Sequence, residues 1–446
     1  MRTEKRTGRR CSFCYGLSSL PGQASLQNDS DKEAASSKLS LEFRLHGRLG
    51  LYMPRYSAIK GRGLAFLLLL WSLWFIIMLV RTTIGPILPL IEDEFLVRHA
   101  KATTLVSLFA LGGALSTFAA GVFASKIGYK KSVLLCLAGS VAIFLLIPHV
   151  RTFFELAVLL FVCGVVWGTY FPCVIPIVTS HFAPSIWGRS LAIQDTGASL
   201  SVLAAPLLAT LMLRFISWRQ FFYVYAAAYV VLGVFFQLSV KEVKGQKGAK
   251  INFGDLLKRP SLWVLGMLWA LATGSFLGVY QVTPLYFTKE LSFSTQYANT
   301  IFGLSRIGGV IFGVTMGFVA DRFNLKKSMF IVVCLTGIFT MLIGHGNVTI
   351  VQIALFLQGT VVMGFFSIGL IAISRMFKLG ERSIAAGLVA TMAAILGSGL
   401  LPSLFGLAGD HLSFRFGMRV FGALVVLGSG LVCFLRVPNP REKRLQ

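Results

Sequence analysis

Between Gly63 and Val80 the chain runs eighteen residues without a charge, and comparable apolar stretches recur along it between short polar breaks. An α-helix rises about 1.5 Å per residue, so roughly 20 apolar residues cross the hydrocarbon core of a bilayer. The pattern predicts twelve such helices, near 64–90, 102–124, 132–148, 154–180, 190–213, 220–240, 262–286, 297–320, 328–346, 350–374, 384–409 and 417–436. One longer polar connection, 241–261, separates six from six. The expected organisation is a disordered basic tail (1–62), a first six-helix half (63–240), a linker (241–261), a second half (262–436) and a short tail (437–446).

Composition agrees with lipid as the solvent. Fifty-five per cent of residues are apolar, 13% are charged, and mean hydropathy is +0.76. A water-soluble chain of this length needs more polar surface to cover its core. The net charge of +25 would suggest nucleic acid in a soluble protein, but its distribution argues otherwise. Thirty-two of the 42 Lys and Arg lie in the tails and in the connections after even-numbered spans, and eight after odd-numbered ones. By the positive-inside rule both termini and the 241–261 linker are cytoplasmic, as in a bacterial inner membrane protein.

Several chemistries are disfavoured. The tail pair Cys11 and Cys14 is half a zinc site without a second half. No GxxxxGK[ST] loop offers direct ATP drive, and no GxSxG or HExxH pattern points to an enzyme. No cofactor and no metal are expected.

An internal repeat supports the six-plus-six division. Residues 121–131 read GVFASKIGYKK and residues 317–327 read GFVADRFNLKK, offset by 196 throughout. Gly121 pairs with Gly317, Lys126 with Arg322, Lys130 with Lys326 and Lys131 with Lys327. Each copy follows the second span of its half, as in transporters built from parallel repeats.

These loops resemble the GxxxDRxGxxK/R signature of the major facilitator superfamily. The second copy keeps Asp321 and Arg322 but has Asn324 in place of glycine. The first keeps Gly121, Gly128, Lys130 and Lys131 but has Ser125 where that family has aspartate. The resemblance implies an all-α fold of twelve helices in two pseudo-symmetric halves, and conformational gating by these loops. It implies for Ser125 that the acid which helps lock the halves is missing or replaced by other groups. A further likeness is to the organic-anion and organophosphate-type branches, through Arg81-Thr82-Thr83-Ile84-Gly85, Pro89-Leu90-Ile91, Phe171-Pro172, Arg189-Ser190, Thr196-Gly197 and Pro206.

Two cations carry the chemical expectation. Arg81 and Arg306 lie inside apolar spans, where a central Arg opposes insertion by about 2.5–3.5 kcal/mol, so each should face a wet cavity or a partner. A guanidinium stays charged and offers forked donors to carboxylate, phosphate or nitrate, and the two arginines are expected to converge on one anion in a shared wet vestibule. Snorkelling or backbone pairing is the bland alternative. Trp167, Tyr170, Tyr280 and Gln281 are candidate pocket walls, though packing explains such residues as readily. Asp195 is the one acid clearly inside a span; it offers a coupling site for a proton, or pairs locally with Arg189. Glycines 112, 113, 308 and 309 are expected to permit close helix approach.

The expectation is a monomeric secondary transporter for a small anionic solute, working by alternating access in the bilayer with a proton or sodium ion as coupling partner. An efflux carrier for drugs or metabolites on the same fold is the competing reading. A non-transporting membrane sensor or scaffold rests on the basic tail alone.

Overall fold

The computed structural model describes residues 56–242, 253–309, 311–313, 316, 324–377 and 381–435. The predicted tail up to residue 55, the short tail 437–446 and most of the linker lie outside them. Among the described residues, ten helices are long and apolar enough to cross a membrane. They are α1 (Arg62–Phe95), α3 (Tyr129–His149), α4 (Phe153–His181), α5 (Pro184–Met212), α6 (Phe221–Ser239), α7 (Pro260–Lys289), α9 (Leu325–Ile343), α10 (Val348–Met376), α11 (Ile384–His411) and α12 (Phe414–Phe434). Helix α2 (His99–Ile127) and the stretch opened by α8 (Thr295–Leu304) occupy the other two predicted positions. The protein is an integral multi-pass membrane protein.

Local chemistry sets many boundaries. Thr152 and Glu155 form a reciprocal capping box at the start of α4. Side chains of Ser294, Asn324, Asn347 and Ser413 accept from the first free N–H groups of α8, α9, α10 and α12. Gly128, at φ +99°, makes the turn from α2 to α3 in a backbone region that other residues rarely adopt.

The predicted close approaches are present and repeat between the halves. A Cβ on Gly112 of α2 would meet the Phe161 carbonyl of α4 at 2.3 Å. On Gly308 it would meet Thr360 Oγ1 of α10 at 2.1 Å, and on Gly309 the Gly359 carbonyl at 2.6 Å. Without a hydrophobic drive between helices in lipid, such backbone contacts supply the packing.

The halves meet where α1 packs on α7, α2 on α11, and α5 on α8. Two of these elements loosen at the seam. Helix α7 widens into π turns over Gly274–Gly278 and α11 over Ala393–Leu400. Such turns re-aim the side chains that follow and recur at functional sites. A Cβ on Gly278 would lie 2.8 Å from the Gly397 carbonyl, so the two widened segments touch.

The face opposite residues 56 and 435 is closed. Lys289 Nζ contacts the carboxylate of Asp93 and lies 3.5 Å from Glu92 Oε1. Asp410 of α11 accepts from the His99 and Ala100 N–H groups at 2.9 and 3.0 Å, so the second half caps a helix of the first. Ser107 and Ser403 meet at 2.7 Å one layer deeper.

Candidate functional site

Arg81 sits midway along α1. Its guanidinium donates to Ser398 Oγ in the widened part of α11 at 3.1 Å and lies 4.9 Å over the Trp167 ring. The cleft around it is shared by the halves: Ile84, Val106 and Phe109 on one side, Leu277, Gln281 and Ser398 on the other.

Arg306 is 3% exposed and lies where α8 breaks, just before Gly308 and Gly309. Its guanidinium lies 4.9 Å from the Phe302 ring and 5.4 Å from the Tyr280 ring. These are cation–π distances. Nη1 reaches Gln358 Oε1 only at 3.5 Å, the outer limit of a hydrogen bond. Nε and Nη2 are buried without a partner. The space exists because Gly359 has no side chain: a Cβ there would stand 2.8 Å from Nη1. This cleft also straddles the halves, with Ser199 and Val202 of α5 facing Phe276, Gly309, Gly359 and Met363.

Neither arginine has an acidic partner among the described residues. Nor do they share one cavity, as convergence on a common vestibule would require. Each lines its own narrow cleft, with Gln281 in the wall of the Arg81 cleft and its neighbour Tyr280 against the Arg306 guanidinium. Consecutive residues of a helix point roughly 100° apart. Tyr280 therefore serves Arg306, while Gln281 donates from Nε2 to the Arg81 carbonyl at 2.9 Å.

The other expected residues fall out unevenly. Trp167 supplies its face to Arg81, and its indole N–H is buried without a partner. The Tyr280 hydroxyl donates to the Val202 carbonyl at 3.0 Å and ties α7 to α5. Tyr170 is fully buried, with its hydroxyl on the Leu70 carbonyl at 3.3 Å, so it packs the first half. Asp195 is exposed beside Trp74, and no ion pair joins it to the exposed Arg189.

Of the loop residues, Gly317, Asp321 and Arg322 lie outside the described residues, and Gly121 falls within α2. Lys130 Nζ donates to the Gln237 carbonyl at 2.8 Å, and its N–H donates to Glu242 Oε1 at 3.2 Å. Glu242 thus places a carboxylate at the start of α3, at a loop where Ser125 supplies none. Asn324 accepts from the backbone of Lys326 and Lys327, a capping role that glycine would not fill.

Sequence reasoning missed Ser398, Trp74, Gln358 and Gly359. Gln358, an amide inside LFLQGTVV, carried the one usable signal, a polar group in an apolar run.

Outside the membrane-spanning stretch, His99 Nδ1 contacts Glu92 Oε2 at 2.8 Å. That hydrogen bond holds the imidazole above the ordinary histidine value, against partial burial.

Comparison with known proteins gives a match to the Major Facilitator Superfamily over residues 70–314 and 283–446. Inner membrane metabolite transport protein YhjE of Escherichia coli (strain K12) is 28% identical over 245 residues, 49% of this chain and 53% of that protein. The match thus spans about half the length of that relative. The gallate transporter of Pseudomonas putida is 25% identical over 307 residues, 58% of this chain and 66% of that protein. The crystal structure of a bacterial homologue of the human lysosomal transporter Spinster, inward-facing and occupied, gives a TM-score of 0.73 at 13% identity. It covers 84% of this chain and 97% of that one, a likeness of fold alone.

Proposed function

The chain belongs to the Major Facilitator Superfamily, and from that premise we propose that it is a secondary transporter whose cargo is a small anion. The observation that carries this reading is Arg306: buried, with two N–H groups unpartnered and no acidic partner among the described residues. A lasting cation in that position calls for a mobile counter-charge, because an unpaired buried charge is strongly disfavoured. Arg81, at the same seam but in a separate cleft, supplies a second.

Alternating access would work as follows. With the Lys289–Asp93 and Asp410–His99 contacts made, the seam is closed on one side and the two clefts stay apart. Gln281 walls one and Tyr280 lies against the guanidinium of the other, so movement of α7 against α1 and α5 joins them around an anion. Asp195, exposed and without an ion partner among the described residues, is the proposed proton carrier. The distribution of Lys and Arg supports a cytoplasmic face for both termini and hence an outer position for the closed face. The metabolite transport and gallate transport of the two relatives are compatible with an organic anion as cargo.

The test is uptake into proteoliposomes of labelled carboxylates and phosphates against lipophilic cations. Anion uptake is expected. Arg306→Lys keeps the charge but loses the fork, and the lost charge-assisted bonding of about 1.5–3 kcal/mol corresponds to a fall of roughly 10–100-fold. Lipophilic-cation uptake, unaffected by the substitution, would overturn the reading.

A further inference from the structure

The side-chain amide of Gln358 in α10 is fully buried and fixed from one end. Its Nε2 donates to the Ser275 carbonyl at 2.6 Å, inside the widened Gly274–Gly278 segment of α7. An amide has one donor end and one acceptor end, so committing Nε2 decides where Oε1 points. Oε1 lies 3.5 Å from Arg306 Nη1. At that separation the amide directs the guanidinium more than it binds it.

The neighbouring residues enclose the same corner. A Cβ on Gly359 would stand 2.8 Å from Nη1 and 3.4 Å from Cδ of Arg306, so the α10 backbone closes in on that side. Tyr280, two residues beyond the widened segment, sets its ring 5.4 Å from the guanidinium. The π turns of α7 therefore serve Arg306 twice, through the carbonyl that anchors Gln358 and through the ring that follows.

The donors left over are not scattered. Nε and Nη2 are the two that are buried without a partner among the described residues. In a planar guanidinium their N–H bonds run parallel along one edge of the fork. That edge matches two oxygens carried on one atom, as in a carboxylate or a phosphate. A rod-shaped anion of the same charge satisfies one donor and leaves the other buried and unpaired, which is costly.

We propose that Gln358 is a positioning residue for the anion: it holds the Nη1 corner of Arg306 and keeps the Nε–Nη2 edge turned to the cleft for a two-oxygen group. This rests on the anion reading above. Because the amide is anchored on the π turns of α7, the edge stays aimed only while α7 keeps those turns against α10. Sliding of α7 withdraws the anchor, so the grip on the anion loosens as the halves rock.

The experiment is uptake of labelled pyruvate, succinate and inorganic phosphate into proteoliposomes of the full chain, with acetate and thiocyanate as competitors. Both competitors carry one negative charge, and only acetate has the two-oxygen edge. In wild type, acetate should compete at least tenfold better than thiocyanate. Gln358→Met keeps the length of the side chain and removes the amide. It should raise KM about tenfold, the equivalent of one charge-assisted hydrogen bond, with kcat per reconstituted molecule changed by less than roughly threefold. The advantage of acetate over thiocyanate should shrink with it. A merely structural role would lower kcat and leave that ratio unmoved. Gln358→Glu is the second variant should the first misassemble: its carboxylate sits against Nη1 as an internal counter-charge and should raise KM by at least as much. If wild type takes both competitors alike, or if a folded variant keeps the wild-type KM and ratio, the positioning proposal falls while the anion reading stands. If wild type takes up none of the three labelled anions, both fall.

Discussion

Gln281 of α7 donates from its side-chain amide to the main-chain carbonyl of Arg81 in α1 at 2.9 Å. One hydrogen bond thus ties the two halves at the residue that supplies the first cation. The approach is possible because position 85 is glycine. A Cβ there would lie 2.6 Å from Gln281 Oε1 and 2.9 Å from its Cα.

Gly85→Ala is therefore expected to disfavour the closed seam. The Cα of Gln281 is backbone and cannot swing aside as a side-chain tip can. Overpacking of this kind costs about 1–3 kcal/mol, which shifts a two-state population roughly 5–100-fold. Ser107→Cys, beneath the closure, reports the shift through its rate of reaction with a membrane-impermeant maleimide. That rate should rise in the Gly85→Ala background.

Gly359→Ala tests the Arg306 cleft without touching a charge. The new methyl would stand 2.8 Å from Nη1 and 3.2 Å from the Ser305 carbonyl, and must displace the guanidinium. Anion affinity is expected to fall about tenfold, consistent with loss of one charge-assisted hydrogen bond. Expression and membrane insertion should be unchanged, as size-exclusion of the purified variant would report.

The His99–Glu92 contact predicts a pH dependence. The imidazole is held above its ordinary value, so its contribution is fully present when the unfolded histidine would also be protonated. It is lost as pH rises through the raised folded value. The melting temperature of wild type should therefore exceed that of His99→Gln at mildly acidic pH, and the gap should close toward alkaline pH. Thermal melts across that range check the sign.

How much of this was legible beforehand varies by residue. The spans were, because lipid demands long uncharged helices whatever the tertiary packing, and the boundaries of α4 and α10 fall within two residues of those read from apolar runs. Gly112 and Gly308 were legible because close approach in lipid selects small residues. Arg81 and Arg306 stood out because a cation in an apolar run is rare.

Their separation into two clefts was not legible. It depends on where Tyr280 and Gln281 point after the π turns of Gly274–Gly278, and a sequence does not record the extra residue per turn. Ser398 and Trp74 were missed for a related reason. A serine or tryptophan in an apolar helix looks like packing until its partner is known: Ser398 meets Arg81 across the seam, and Trp74 stacks on Tyr170 within its own half.

The most direct test of the central claim is equilibrium binding of a labelled aryl or aliphatic carboxylate to purified protein, comparing wild type with Arg81→Gln, Arg306→Gln and the double variant. The account predicts saturable binding by wild type, at least tenfold weakening in each single variant, and none measurable in the double variant. Binding of undiminished affinity in the folded double variant would contradict it.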